Sequence, residues 1–349
     1  MFLKNTWYVC AEPEEVTREP FPRTICDENV VFWRKMDGTP VAFEDRCCHR
    51  RMPLRKGHVT EDRLCCHYHG LEFDATGTCV RVPGQTTIPP GAQVRTYPIV
   101  EKYNWLWIWM GDPALADPDL IEDFHWMDHP DWRARGEKLD LKANYVLLVE
   151  NLLDLSHLSF VHPTTLGTDA IAETPMKYER EDNLVRVTRW IMDNTPPPFF
   201  QKAGGFTPEQ RIDRWQIIEF TPPAFVRLDV GGAVAGTGAE KGDRSQGISM
   251  RNLNAITPET EETTHYFWSQ AHDFRVDEPW LTDLLYDNVH TAFLEDLDIV
   301  GAQQENIRTQ PDTPRIDINH DSGGLQARRI IEALIADEQI GGGLALVGE

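Results

Sequence analysis

The chain has 349 residues, enough for two or three domains with cores of their own. Its formal net charge of −22 argues against nucleic acid and against docking on an anionic membrane, since both need a basic face. The opening MFLKNTWYVC has no basic stretch followed by an apolar run, and no window approaches the roughly 20 apolar residues of a membrane helix, so a cytoplasmic protein without a membrane partner is expected.

The first 110 residues are short apolar runs broken by Gly, Pro and Asp. NVVFWR (29–34), TPVAFED (39–45), GLEFDATGTCVRV (70–82) and NWLWIWM (104–110) read as strands of a small all-β domain. In the last run both alternating faces are apolar, which predicts a strand buried on both sides. All seven cysteines lie at or before position 79. An odd count with a bare C-terminal three-quarters fits an N-terminal metal domain in a reducing compartment better than a disulfide scaffold.

Within this domain CCHRRMPLRKGHVTEDRLCCHYHG (47–70) holds four cysteines and four histidines. Cys47 with His49, then Cys66 with His69, make the pattern C-x-H…C-x-x-H. Such a set suits tetrahedral zinc or a [2Fe–2S] centre with two Cys on one iron and two His on the other. Each loop offers one Cys and one His, so each can span both irons, and the spacing favours the binuclear cluster. Cys48, Cys65, His58 and His67 fall outside the ligand register and are expected to be bystanders.

GDPALADPDLIEDF (111–124) carries two prolines and five acids and is expected to connect two domains, 1–118 and 119–349. ANYVLLVENLLDLSHLSFVH (143–162) has helical features. Asn151, Asp154 and His157 stand at i, i+3 and i+6, which places them along one face of a helix. His162 would be about 140° out of line on an ideal helix. Pro163 disfavours helix at His162, which is therefore expected just past the helix end, able to swing back towards His157. Residues 211–256 and 264–274 read as strands, and 279–308 and 325–338 as helices. The tail QIGGGLALVGE (339–349) is expected not to pack, given three consecutive glycines. Two histidines and one carboxylate with open positions opposite form the facial triad of non-haem Fe(II) oxygenases. FLEDLDIVGAQQ (293–304) offers Glu295, Asp296 and Asp298 for the third ligand.

At this point CCHR…CHYHG resembles the CPHR…CPYHG signature of the Rieske non-haem iron oxygenases, with Cys48 and His67 where that family often has proline. NLLDLSHLSFVH resembles its N-x-x-D-x-x-H-x₄-H motif, and EDLDIVGAQQ its ED…EAQQ helix. GDPALADP, RIDRWQ (211–216) and TPETEETTHYFW (257–268) are similar to vanillate O-demethylase oxygenases and their aromatic-acid relatives. The resemblance implies an α+β chain: an all-β Rieske domain followed by a helix-grip (Bet v1/START-like) catalytic domain with a central antiparallel sheet. It implies a [2Fe–2S] cluster on Cys47, His49, Cys66 and His69, and mononuclear Fe(II) on His157, His162 and Asp296, with Asp298 as the fallback ligand. It further implies a homotrimer closed head to tail. In it Asp154 bridges His157 to His69 of the neighbouring subunit, and Asn151 stands behind the iron.

The implied reaction is monooxygenation of a methoxy-substituted aromatic acid to a phenol and formaldehyde, with O₂ as co-substrate. Ring dihydroxylation, or methyl hydroxylation of a toluenesulfonate or phenoxybenzoate type, shares every ligand and stays open. A bare electron-transfer protein and a zinc-bound structural protein are rivals that the second histidine pair and acidic helix speak against. No G-x-G-x-x-G follows a strand and no second cysteine set is present, so electrons from NADH are expected through a separate reductase of the flavin and ferredoxin type. An aromatic acid calls for an anchor. His265, on the same strand face as Phe267, matches a substrate-contacting position in similar oxygenases. Arg251, Arg211, Arg214 and Arg227 are further candidates, although a surface ion pair is the usual fate of each. Phe160, Phe267, Trp268 and Phe293 are expected as pocket walls.

Overall fold

A computed structural model describes residues 1–163, 171 and 174–341. The chain divides into two compact units: Met1–Glu122 with Thr257–Glu261, and Asp123–Ile256 with Glu262–Glu349.

The first unit holds β1 (Trp7–Ala11), β2 (Phe21–Ile25), β3 (Glu28–Arg34), β4 (Pro40–Glu44), β5 (His58–Thr60), β6 (Arg63–Cys65), β7 (Glu72–Asp74), β8 (Cys79–Arg81), β9 (Thr96–Tyr97), β10 (Ile99–Lys102) and β11 (Trp105–Trp109). They form three sheets, ordered β1-β11-β10, β2-β3-β4-β9 and β5-β6-β7-β8. The doubly apolar run does become a central strand: β11 is flanked by β1 and β10 and all five of its residues are buried. The run 70–82 is two strands rather than one. The Asp74 carboxylate accepts from the backbone of Thr76 and Thr78 and turns the chain between β7 and β8. Trp33, Phe43, Leu54, Leu64 and Phe73 form the core against which Cys47 and Cys66 are buried. Residues 111–124 fold into short turns, Pro113–Leu115 and Pro118–Leu120, opened by Asp112 and Asp117 side chains that accept the N–H of Ala114 and Asp119.

The second unit holds β12 (Arg133–Leu141), α1 (Tyr145–Leu153), α2 (Leu158–Val161), β13 (Lys177–Glu181), β14 (Leu184–Asn194), α3 (Pro198–Gly204), β15 (Ile212–Thr221), β16 (Phe225–Val234), β17 (Gly247–Pro258), β18 (Thr264–His272), α4 (Pro279–Thr309) and α5 (Ser322–Ile340). Its strands make one antiparallel sheet in the order β12-β18-β17-β16-β15-β14-β13. The 31-residue α4, about 46 Å long, lies against β12, β18 and α1. This is the expected helix-grip arrangement. The edge strand β13 reads KYERE, and its charges blunt an open edge. β14 was not among the predicted strands, yet LVRVTRWI alternates buried and half-buried residues with period two. From residue 342 the glycine-rich tail lies outside the described residues. Among the described residues no helix is long and apolar enough to cross a membrane.

Candidate metal centres

Two loops of the first unit repeat one backbone device. Cys47 N–H donates to Met52 O at 2.9 Å and Arg51 N–H returns to Cys47 O at 3.0 Å. Likewise Cys66 N–H donates to Leu71 O at 2.8 Å and Gly70 N–H to Cys66 O at 2.9 Å. The fourth residue after each Cys must turn left-handed, with φ +58 at Arg51 and +70 at Gly70. A Cβ on Gly70 would lie 2.9 Å from Pro83 Cγ, so glycine is required there twice over. The first loop is also pinned by buried Asp45, which accepts from Arg55 N–H at 2.7 Å and pairs with its guanidinium. The result sets Cys47 and Cys66 inside and His49 and His69 outside, the two rings 4.5 Å apart. Burial pushes the Cys47 thiol up to about 12, with Cys66 beside it adding to the shift. Paired sheltered sulfurs beneath paired exposed imidazoles fit a cluster with one iron of each kind. All seven cysteines are free. Cys48, His58 and His67 are exposed and Cys65 is half-buried.

In the second unit α1 ends at Leu153, one residue before Asp154. The expected single helical face through Asn151, Asp154 and His157 is therefore corrected: Asp154 caps the helix, and its carboxylate accepts from Ser156 N–H at 2.7 Å. An Asx turn here competes with the helix for backbone donors. His157 opens the single turn α2 and His162 closes it, so the chain does swing His162 back. The two rings lie 5.2 Å apart. Among the described residues His157, His162 and Asp296 are the one group of three or more such donors whose ligand atoms lie within 4.8 Å of one another.

The electrostatics of this group fit a cation. Nε2 of His157 and of His162 stand 3.4 and 3.2 Å from Asp296 Oδ1, yet neither makes a hydrogen bond, and His157 Nδ1 also lacks one. Orphaned buried donor atoms converging on a carboxylate are what a bound metal satisfies. Asn151 Nδ2 donates to Asp296 Oδ1 at 3.1 Å. His162 Nδ1 meets Glu295 Oε2 at 2.6 Å, which turns Nε2 towards the centre. Burial holds His157 below the ordinary imidazole range despite the carboxylates nearby. Burial also depresses His162, but Asp296 and Glu295 outweigh it and its pKa is raised. Of the three acids weighed on α4, Asp296 is buried in the centre, Glu295 orients a ligand and Asp298 is exposed.

A cavity of about 480 Å³ is lined by the same His157, His162 and Asp296. Its floor is one face of the sheet: Arg214 and Gln216 on β15, Leu228 and Val230 on β16, Met250 and Asn252 on β17, and Gln270 on β18. Phe293 and Val289 on α4 and Phe199 and Phe200 on α3 form the walls.

None of the four predicted substrate residues His265, Phe267, Phe160 and Arg251 lines this cavity. The reason is period two. Trp268 and Tyr266 face α4, where both rings pack on Phe293, so His265 and Phe267 point to the opposite face of the sheet. There His265 Nδ1 lies 3.4 Å from Asp140. Arg251 is likewise flipped relative to Met250 and Asn252, and its guanidinium pairs with Asp229 at 2.6 Å. Phe160 is 81 % exposed, on the outside of the turn whose inner side carries Leu158 and His162. Trp268 stands behind Phe293 rather than on the wall. Sequence reasoning missed α3, although the run PPPFF (196–200) is a visible apolar signal.

The family models match in the same order as the two units. The Rieske [2Fe–2S] domain matches residues 6–98. The vanillate O-demethylase oxygenase C-terminal domain matches residues 141–337. A putative toluene-4-sulfonate monooxygenase system iron-sulfur subunit of Comamonas testosteroni is 44% identical over 98% of this chain and 99% of its own. A vanillate O-demethylase oxygenase subunit of Pseudomonas sp. (strain HR199 / DSM 7063) is 36% identical over 99% of each. The crystal structure of dicamba monooxygenase with non-heme iron and dicamba superposes with a TM-score of 0.83 at 32% identity, covering 97% of this chain and 99% of that one. With its buried-thiol loops and its orphaned two-histidine, one-carboxylate centre, the chain belongs to the Rieske non-haem iron oxygenases of the vanillate O-demethylase oxygenase type, oxidoreductases with a [2Fe–2S] cluster and a non-haem iron.

Proposed function

We propose that this chain is the oxygenase component of a multicomponent monooxygenase that O-demethylates a methoxy-substituted aromatic acid. The observation that carries this reading is the largely apolar cavity of about 480 Å³ that shares His157, His162 and Asp296 with the metal centre. When bound, the cluster supplies single electrons and the mononuclear iron supplies oxygen activation. Cys47, His49, Cys66 and His69 are assigned to the first, and His157, His162 and Asp296 to the second. Asn151 and Glu295 orient Asp296 and His162 through the contacts at 3.1 and 2.6 Å. The walls of Leu, Val and Phe exclude water and hold the methoxy carbon beside the centre. Oxidation of that carbon yields a hemiacetal, which releases formaldehyde and leaves the phenol.

Electrons come from NADH through a separate flavin- and ferredoxin-type reductase, a partner supported by relatives named oxygenase subunits or components. The working assembly is a head-to-tail homotrimer, in which Asp154 links His157 to His69 of the next subunit. The setting is the cytoplasm.

A second reading is favoured by the 44% identity to a toluene-4-sulfonate system subunit: hydroxylation of an aryl methyl group. Purified holoenzyme with NADH and a surrogate reductase separates the two. Vanillate, 4-methoxybenzoate and 4-toluenesulfonate are supplied in turn. Demethylation predicts one formaldehyde per methoxybenzoate consumed. A benzylic alcohol from 4-toluenesulfonate, with no formaldehyde from either methoxybenzoate, selects the second reading and sinks the first.

A further inference from the structure

The cavity contains one feature that the metal chemistry does not use. Arg214, on β15, is 6 % exposed and its side chain lines the cavity. Its Nε and Nη1 are buried, and among the described residues nothing accepts a hydrogen bond from them. Burial pushes its pKa down to about 10, with Arg189 nearby contributing, so it remains a cation at neutral pH. Arg189, on the same sheet face two positions along β14, is also buried and spends Nη1 on Leu155 O and Gln216 Oε1. Among the described residues neither arginine forms an ion pair with a carboxylate. Elsewhere on this sheet the pattern is different. Arg186 and Arg227 pair with Glu219, and Arg244 and Arg251 with Asp229. In a chain of net charge −22, a guanidinium that pairs with no acid among the described residues, inside a largely apolar chamber, is an open electrostatic position.

The position is also built. Gly232 lies opposite Arg214 in the β15–β16 ladder. A Cβ there would come within 2.9 Å of Phe200 Cε1, so the missing side chain leaves a notch that the Phe200 ring fills. The Arg214 guanidinium carbon sits 4.8 Å from the centre of that ring. Stacking on an aromatic face fixes the plane of the fork while leaving its N–H edge free. Asn252 and Gln270, joined by a 3.2 Å hydrogen bond, add amide groups to the same floor.

We propose that Arg214 is the specificity-determining anchor for the anionic head group of an aromatic substrate, a carboxylate or a sulfonate. The planar fork donates to two oxygens of either anion, and the ring then extends between the apolar walls towards His157, His162 and Asp296. This assignment rests on the reading of the cavity as the substrate site. It replaces His265 and Arg251, which face away.

The test is equilibrium binding to the holoenzyme by anaerobic calorimetry, with 4-methoxybenzoate, 4-toluenesulfonate and the neutral 4-methoxybenzamide. Arg214→Met is expected to weaken whichever anion the wild type binds by at least roughly 30-fold, because it deletes one partner of a buried charge pair. The amide is expected to change less than about threefold, and Arg214→Lys to lose an intermediate amount, because it keeps charge but not the fork. If Arg214→Met does not accumulate with an intact cluster spectrum, Arg214→Lys decides alone by the same anion-against-amide contrast. Equal losses for anion and amide, no loss for the anion, or no binding of either anion by the wild type overturns the proposal. Binding reads the anchor without turnover. 4-Methoxybenzoate held through Arg214 that yields no formaldehyde therefore overturns demethylation and leaves the anchor standing.

Discussion

His162 shows how much one side chain's surroundings decide. Its Nδ1 is held by Glu295 at 2.6 Å and its Nε2 faces Asp296 at 3.2 Å. Glu295→Ala removes the group that fixes tautomer and ring orientation. Fe(II) affinity is expected to fall roughly 10- to 100-fold with the cluster's visible spectrum unchanged, as measured by competition with a chromogenic chelator. The pH dependence follows from the same contacts. Asp296 and Glu295 raise the pKa of His162 above the ordinary imidazole value, whereas burial has already made His157 the more readily neutral ring. Iron must displace the proton on His162. Apo-protein affinity is therefore expected to rise with pH through that raised pKa and to level off above it. In Glu295→Ala the rise should come at lower pH. A pH-independent affinity between about pH 6 and 9 would contradict this order. The sequence pattern made His157, His162 and an acid of α4 legible as partners. It could not rank Glu295 against Asp296 without the resemblance, because neighbouring helix positions diverge by about 100° and only packing decides which turns inward.

At the scale of elements, the cluster loops rest on two left-handed residues. Gly70→Ala meets both the positive φ and Pro83, and is expected to cost about 1–3 kcal/mol, read as a lower Tm of the cluster absorbance. An unchanged Tm would mean that the second loop tolerates another backbone path. Strands with clear runs, such as β3, β4 and β11, were legible because composition and period agree. The break between α1 and α2 was not. NLLDLSHLSFVH keeps helical spacing throughout, yet Asp154 diverts the backbone through its hydrogen bond to Ser156 N–H. A local side-chain bond of this kind leaves no trace in hydrophobic periodicity.

For the molecule as a whole, the proposed trimer gives Asp154 a task beyond its hydrogen bond to Ser156 N–H within the chain. Asp154 lines both the large cavity and a second one of about 280 Å³ that also includes Asn151 and His157. Asp154→Ala is expected to retain the cluster and the mononuclear iron while losing at least about tenfold in turnover with the reductase. Normal coupled activity in that variant would remove the bridge. Sedimentation equilibrium of the wild type should return three times the 40.0 kDa chain mass; a fully active monomer would remove the trimer.

The residues by themselves made both sets of candidate metal ligands legible, short of ranking the acids of α4, because ligand chemistry demands Cys, His and carboxylate at short, recognisable spacings that survive in one dimension. They also determined the order of an all-β unit before a mixed one, since period-two runs and a long amphipathic helix are written locally. Which arginine faces the cavity beside His157, His162 and Asp296 was decided only by the tertiary structure. Arg214 and Arg251 differ in nothing the sequence displays. A strand's register turns one into the chamber beneath α4 and the other to the opposite face beside Asp229, and register is a property of the assembled sheet.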